Sequence, residues 1–384
     1  MGRYNLARDR RCPRTLISSA PVSATLAVPE VLTPPPAAER RGVPIPEYGP
    51  AFPAPELPYL PRDPRSYNPP IGLIGCGGIT SHHLTAYRAA GYRVVALCDA
   101  NLERARQRQA EFYPEAEVIE DYRVLLKRDD IEVLDIATHP ALRALMIEHG
   151  LNARKHILSQ KPFVPDLDFG ERMVELAARQ GVRLAVNQNG RWAPHFSYIR
   201  EAVRAGLTGE LSGVHTRVHW DHNWVAGTEF DRVKHLILYD FAVHWFDFLT
   251  TLMGPRKPTR VFSSIARAAG QRATPALLGQ AVVEYEGAQA SLVFDGNTHF
   301  GALDSVYVNG TRGTLTASGP DSKLQQVTLY NAQGHASPEL QGCWFPDGFH
   351  GTMGFFTDVL HLPAPVAFLV VAVSQLLTSR KDAA

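Results

Sequence analysis

The segment Ile71-Gly72-Leu73-Ile74-Gly75-Cys76-Gly77-Gly78-Ile79-Thr80 constrains this chain more than any other. A short apolar run ends in glycines and then opens a helix-length stretch, Ser81 to Gly91. Gly75 permits a tight turn, and Gly77 lets the backbone approach a pyrophosphate. The helix that begins near Thr80 points its first amides at that phosphate. A β-branched run, Arg93 to Cys98, follows and ends in Asp99, 24 positions after Gly75. That spacing suits a carboxylate that takes the adenosine ribose hydroxyls. Gly75, Gly77, Gly78, Ile79 and Asp99 are therefore predicted to bind a dinucleotide. An acidic group there repels a 2′-phosphate, which favours NAD; the nearby Arg104 keeps NADP open. Thr80 stands where a third glycine or alanine is expected, and its side chain should crowd the helix against the strand.

Strands alternate with helices through the rest of the first half. Leu102 to Phe112 reads as a surface helix, Val133 to Ala137 as a strand, and Ala141 to Leu151 as a helix. His156 to Ser159 is a strand, Phe169 to Gln180 a helix, and Val182 to Asn187 a strand. This order predicts a parallel sheet covered on both faces. The second half reads differently. After a helix at Phe196 to Ala205 come Gly213 to Trp220, Thr259 to Ala266, Ala281 to Tyr285, Ala288 to Phe294 and Ser305 to Val308. Consecutive strands with turn signals at Glu286-Gly287 and Asn309-Gly310 imply a largely antiparallel or mixed sheet. One long helix, about His235 to Leu252, interrupts them.

The fold class is thus α/β, a nucleotide-binding domain followed by an α+β domain. The expected divisions are a tail at 1–68, a dinucleotide domain at 69–190 and a substrate and oligomerisation domain at 191–384. Sixteen of the 29 prolines fall at or before Pro70. Such a segment should be extended or disordered, and able to wrap over the folded part.

Composition narrows the function. Lys plus Arg total 39 against 38 for Asp plus Glu, which argues against a nucleic-acid surface. The four cysteines form no CxxC pair, so neither a zinc ribbon nor a disulfide framework is indicated, and a reduced, cytoplasmic location is the simpler expectation. The most apolar run, Pro363 to Leu377, is too short to span a bilayer. The stretch Thr15 to Val28 is too interrupted to be a good export signal.

Two further segments carry chemistry. In Gln160-Lys161-Pro162 the lysine follows a parallel strand, at the edge where ligands bind, and Pro162 keeps it out of a helix. In the apolar helix, Asp240 and His244 are i,i+4 and share a face, with Asp247 three positions on. The alternatives are a satisfied buried pair, a metal site lacking a third ligand of motif spacing, or a general base held by a carboxylate.

The three segments, in this order, resemble the glucose–fructose oxidoreductase/inositol dehydrogenase/MocA (Gfo/Idh/MocA) family over roughly Pro70 to Gly319. Its motifs are a glycine loop after the first strand, Glu-Lys-Pro after the fifth, and Asp-x-x-x-His on a helix of the second domain. The resemblance implies a Rossmann domain, a C-terminal domain whose open sheet often forms the oligomer interface, and a nicotinamide cofactor. It also implies catalytic roles for Lys161, Asp240 and His244, with Lys161 beside the cofactor, and a homodimer or homotetramer. Gln160 departs from the family glutamate. Thr138-His139-Pro140 stands where such sequences often have a later histidine, and the end from His361 does not match the family's closing helix.

Two loops combine indoles with hydrogen-bonding groups, which suits a polyhydroxylated ring. They contribute Asn189, Arg191 and Trp192, and Asp221, His222 and Trp224, as candidate substrate contacts. No metal is expected. The expected reaction is hydride transfer between a secondary alcohol of a sugar, cyclitol or related polyol and NAD(P). An NAD-dependent glycosidase or isomerase, or a dinucleotide-sensing regulator, are the competing readings.

Overall fold

All four residues of β1 (Ile71–Ile74) are buried, as a strand covered on both faces requires. In the computed structural model, which describes residues 49–62, 67–321 and 325–360, this strand leads through the glycine loop into α1 (Thr80–Ala89). Then follow β2 (Val94–Cys98), α2 (Leu102–Phe112), β3 (Glu117–Ile119), α3 (Tyr122–Leu126), β4 (Val133–Ile136) and α4 (Pro140–Asn152). The unit closes with β5 (His156–Gln160), α5 (Leu167–Gln180) and β6 (Leu184–Asn187). The sheet is parallel, with order β3-β2-β1-β4-β5-β6. Its order reverses between β1 and β4, the crevice where such sheets take their ligands. One face packs Leu84, Tyr87 and Ala105; the other packs Ile147, Leu151, Met173 and Ala177.

The second sheet is built after α6 (Pro194–Arg204) from β7 (Leu211–His219) onward. A helical segment ending in α7 (Val243–Met253) comes next. It is followed by β8 (Arg260–Ala266), β9 (Leu278–Tyr285), β10 (Ala288–Asp295), β11 (Leu303–Gly310), β12 (Gly313–Gly319), β13 (Gln326–Asn331) and β14 (Gly334–Ala336). The order is β14-β13-β12-β11-β7-β10-β9-β8. Among its described strands only β7 and β10 pair in parallel. α6 and α7 bury Phe196, Trp245, Phe246 and Phe248 against this sheet, and Phe196 stacks on Phe248 at 4.3 Å.

Two features depart from the sequence reading. The helix expected from His235 to Leu252 is broken: Ile237–Phe241 is a π-helical turn, closed by Ala242 N–H to the Ile237 oxygen at 3.0 Å. His235, with φ of +54°, lies just before it. The second is α8 (Trp344–Leu360), which follows the second sheet in sequence yet places Phe349, Met353 and Phe356 in the core around β1 and α1. Gly348, Gly351 and Gly354 recur every third residue. A Cβ on Gly348 or Gly351 would collide with Asn189 or Trp192. The glycines that let this helix pack so closely also hide it from a propensity reading.

Residues 49–62 of the proline-rich segment are extended and packed. Phe52 N–H bonds the His335 oxygen at 2.9 Å, and His335 N–H bonds the Pro50 oxygen at 3.1 Å, which covers the β14 edge. Tyr198 and Ser197 donate to the Pro55 and Tyr59 oxygens. The rest of the expected tail, 1–48 and 63–66, and the atypical end from His361, including the Pro363 to Leu377 run, lie outside the described residues. Among the described residues no helix is long and apolar enough to cross a membrane.

Candidate active site

The glycine loop is shaped for a phosphate. Gly75 has φ of +97°, and a Cβ there would sit 3.0 Å from the Ala137 carbonyl, so only glycine fits without strain. A Cβ on Gly77 or Gly78 would meet nothing within 4 Å, so the loop faces open space. α1 has no side-chain cap and no acidic residue in its first turn, whereas Asn101, Asp121 and Asp166 cap α2, α3 and α5. Its first amides and dipole are thus left for an anion. Ile79 is the residue before that helix. Thr80 does not crowd the strand as expected: it is fully buried and its hydroxyl donates to the Gly77 oxygen at 2.6 Å. Asp99, just past β2, accepts Cys76 N–H at 2.8 Å and Asn101 N–H at 2.7 Å, which ties it to the loop. These residues fit a dinucleotide.

Lys161 leaves the carboxyl end of β5 and reaches the second unit. Its ammonium lies 3.0 Å from the Asp240 main-chain oxygen and 3.2 Å from the Asp240 carboxylate. Behind it, Gln160 accepts Lys161 N–H through Oε1 at 2.7 Å and donates through Nε2 to His83 Nε2 at 3.0 Å. His83 Nδ1 then meets Asp135 Oδ2 at 2.8 Å, and the Tyr87 hydroxyl donates to the same oxygen. Because an amide NH₂ can only donate, His83 must carry its proton on Nδ1. The glutamine thus fixes a neutral tautomer and anchors the lysine backbone. Sequence reading noted Gln160 but not His83 or Asp135; only the fold brings residues 52 and 77 positions apart together.

The π-helical turn decides the partners of Asp240. Its carboxylate is held by Lys161 rather than by His244, contrary to the i,i+4 expectation. His244 Nδ1 is buried with no hydrogen-bond partner and packs on Gly190, where a Cβ would be 3.1 Å away. Burial and then the Lys161 charge push the His244 imidazole well below its usual pKa, so it stays neutral. The His222 ring lies 4.1 Å from that of Phe241, tilted at 53°; burial pushes it down to about 4, against the pull of Asp240. Lys161, Asp240, His244 and His222 therefore share one electrostatic environment.

The other candidates fall into two groups. Asn189 is buried with Oδ1 unpartnered, as are both side-chain polar atoms of Asn187 at the end of β6. Trp224 is 57% exposed and leans on His222 and Phe230. Three are engaged by other groups of the chain. Arg191 is clamped by the buried Asp247, Nε to Oδ2 at 2.6 Å and Nη2 to Oδ1 at 2.7 Å, which occupies its fork. Trp192 packs against Gly351, with the Arg200 guanidinium 5.0 Å from its ring. Asp221 is exposed and caps its own loop through Asn223, with His299 at 2.9 Å; those contacts hold its carboxyl below the usual range.

A parallel sheet with a free helix terminus at its phosphate loop, and a lysine bridging to a second sheet domain, define a two-domain dinucleotide-binding protein. Residues 70–188 match the model of an oxidoreductase family with an NAD-binding Rossmann fold, and residues 196–316 match the GFO/IDH/MocA C-terminal domain. The chain belongs to the Gfo/Idh/MocA oxidoreductase family. D-apiose dehydrogenase of Paraburkholderia graminis is 31% identical over 184 residues, 47% of this chain and 49% of that protein. Inositol 2-dehydrogenase of Burkholderia multivorans is 29% identical over 191 residues, 48% and 54%. These alignments span about half the length of the curated relatives. An oxidoreductase domain protein from Kribbella flavida has the same fold, with a TM-score of 0.69 at 19% identity over 81% of this chain and 95% of that one.

Proposed function

We propose that the protein is an NAD-dependent oxidoreductase that interconverts a secondary alcohol and a ketone on a sugar, cyclitol or related polyol. The observation that carries this reading is the Lys161–Asp240 bridge beside a neutral His244 whose Nδ1 is buried, at the carboxyl edge of the NAD-binding sheet. The dehydrogenases of sugar and cyclitol among its relatives support the substrate class.

When bound, the nicotinamide supplies the hydride acceptor. The chain's own residues do the rest. Lys161 donates to the reacting oxygen and stabilises the negative charge that develops there. Asp240 holds the ammonium in place. His244 takes the hydroxyl proton; Nδ1 packs on Gly190, which leaves Nε2 for the substrate. As alkoxide character develops, it offsets the Lys161 charge and raises the proton affinity of His244 at the moment it is needed. His222, Trp224 and Asn189 would line the substrate side.

The outward face of the second sheet carries Phe262 beside Val282 in register, and Tyr307 at 47% exposure. It is the surface we assign to self-association, as a dimer or tetramer, and sedimentation of the purified chain tests it. The function itself is tested by titrating the purified protein with NAD and NADP, then screening polyols for NADH. Tight NAD binding with net NADH production supports a dehydrogenase. Product without net NADH would replace it with internal redox, as in a glycosidase or isomerase, and binding of neither nucleotide would overturn the reading.

A further inference from the structure

Arg143 has no role in the reaction above, yet it is 1% exposed, with Nε and Nη1 buried and without hydrogen-bond partners. A guanidinium buried in this way is costly unless an acceptor reaches it. It lies in the first turn of α4, just past the carboxyl end of β4, the strand that pairs with β5. Lys161 leaves the same edge from β5. His139, the N-cap of α4, is four residues before Arg143. The ring accepts Ala141 N–H at Nδ1, which leaves the proton on Nε2, itself buried and unpartnered. The Tyr239 hydroxyl, one residue before Asp240, is also buried and unpartnered.

Three side chains from two elements therefore carry unmet donors, and Arg143 and Tyr239 are close enough to interact electrostatically. α4 has no acidic residue in its first turn, so its dipole adds to the positive field. The second unit closes over this corner: the Phe230 ring meets His139 at 5.6 Å and Trp224 at 6.0 Å. Burial pulls Arg143 down to about 10, still charged at neutral pH, and Asp240 and Tyr239 act against that pull. Lys161 and Arg143 thus set two cations beside the Asp240 carboxylate.

We propose that Arg143, His139 and Tyr239 form a recognition subsite for a carboxylate of the substrate, so that acidic sugars such as uronates and aldonates are preferred over neutral polyols. The proposal rests on the function proposed above and names its substrate class. A carboxylate accepts two guanidinium N–H bonds at once, restores charge balance and uses the hydroxyl and imidazole donors.

The test is calorimetry on the full chain, with and without saturating NADH. The probes are D-glucuronate, D-galacturonate and D-gluconate, each against its neutral counterpart, D-glucose, D-galactose and D-glucitol. At least one acid should bind about tenfold to a hundredfold tighter than its counterpart, the range of charge-assisted hydrogen bonds. Arg143→Met should erase that difference while leaving NADH affinity within about threefold, and Arg143→Lys should retain part of it. No acid preference in the wild-type protein would overturn the proposal, whether or not the variants fold. So would an Arg143→Met loss that falls equally on acid and neutral ligands, or on NADH instead. If an acid binds through Arg143 but no alcohol is oxidised, the subsite stands and the oxidoreductase reading fails.

Discussion

The Lys161 ammonium meets both oxygen types of Asp240, the main-chain carbonyl at 3.0 Å and the carboxylate at 3.2 Å. One residue comes from the Rossmann sheet and the other from the second unit. The contact therefore joins the dinucleotide side to the substrate side and sets where the lysine charge sits.

Lys161→Ala and His244→Ala should each lower turnover by about 10²–10⁴-fold, the range for a lost positioned acid–base or charge-stabilising group. NADH affinity should stay within a few-fold in His244→Ala. Asp240→Asn keeps the carbonyl contact and so should cost less than Lys161→Ala. Steady-state kinetics with a responsive polyol, alongside NADH fluorescence titration, checks all three. Unchanged turnover in a variant removes that residue from the mechanism.

Gly75→Ala and Gly77→Ala should fail in different ways. At Gly75 a side chain meets the Ala137 carbonyl under a positive φ, so the apo protein should lose about 1–3 kcal/mol. At Gly77 a methyl group enters open space, so the apo protein should be unchanged while the thermal shift produced by NAD shrinks. Melting curves with and without NAD separate the two.

Arg191→Ala should act on stability. It leaves Asp247, 1% exposed, as an uncompensated buried charge, at a cost of about 3–5 kcal/mol. Replacing both, as Arg191→Met with Asp247→Leu, should recover much of it. Urea denaturation measures this. A normal urea midpoint with a raised KM would instead return Arg191 to the substrate pocket.

Asp304, on β11, is fully buried, and burial pushes its carboxyl up to about 7, with the Trp245 indole offsetting only part of the rise. A carboxyl whose folded pKa exceeds its unfolded value destabilises the fold when ionised. The penalty is absent below about pH 4, grows through about pH 7 and is then complete at about 4 kcal/mol. Asp304→Asn should flatten the fall in stability between pH 5 and pH 8. An identical slope in both proteins would rule out this carboxyl as its source.

Most of the first half was legible because its signals are local. Strand, glycine loop, helix and Asp99 follow one another within 30 residues, and observed and expected boundaries there differ by two residues or fewer. β3 and α3 were missed because three and five residues carry no readable period. β12 was missed because its alternation is written in Gly, Thr and Ser, and β14 because three residues carry no readable period. Of the site, Lys161, Asp240 and His244 could be named from motif order. The Gln160–His83–Asp135 chain could not, since its members lie on three separate elements.

The sequence by itself determined the parallel sheet, the phosphate loop and the presence of a second sheet, and the order of its three motifs carried the resemblance to the family. The first three follow from periodicity and from a glycine, Gly75, whose geometry other residues adopt only with strain. Tertiary structure alone decided what each charged side chain is for. Arg191 and Asp247 neutralise each other, the π-helical turn hands Asp240 to Lys161, and Arg143 is left buried with open donors. Electrostatic partnership depends on distance in space, and a linear order of residues does not carry it.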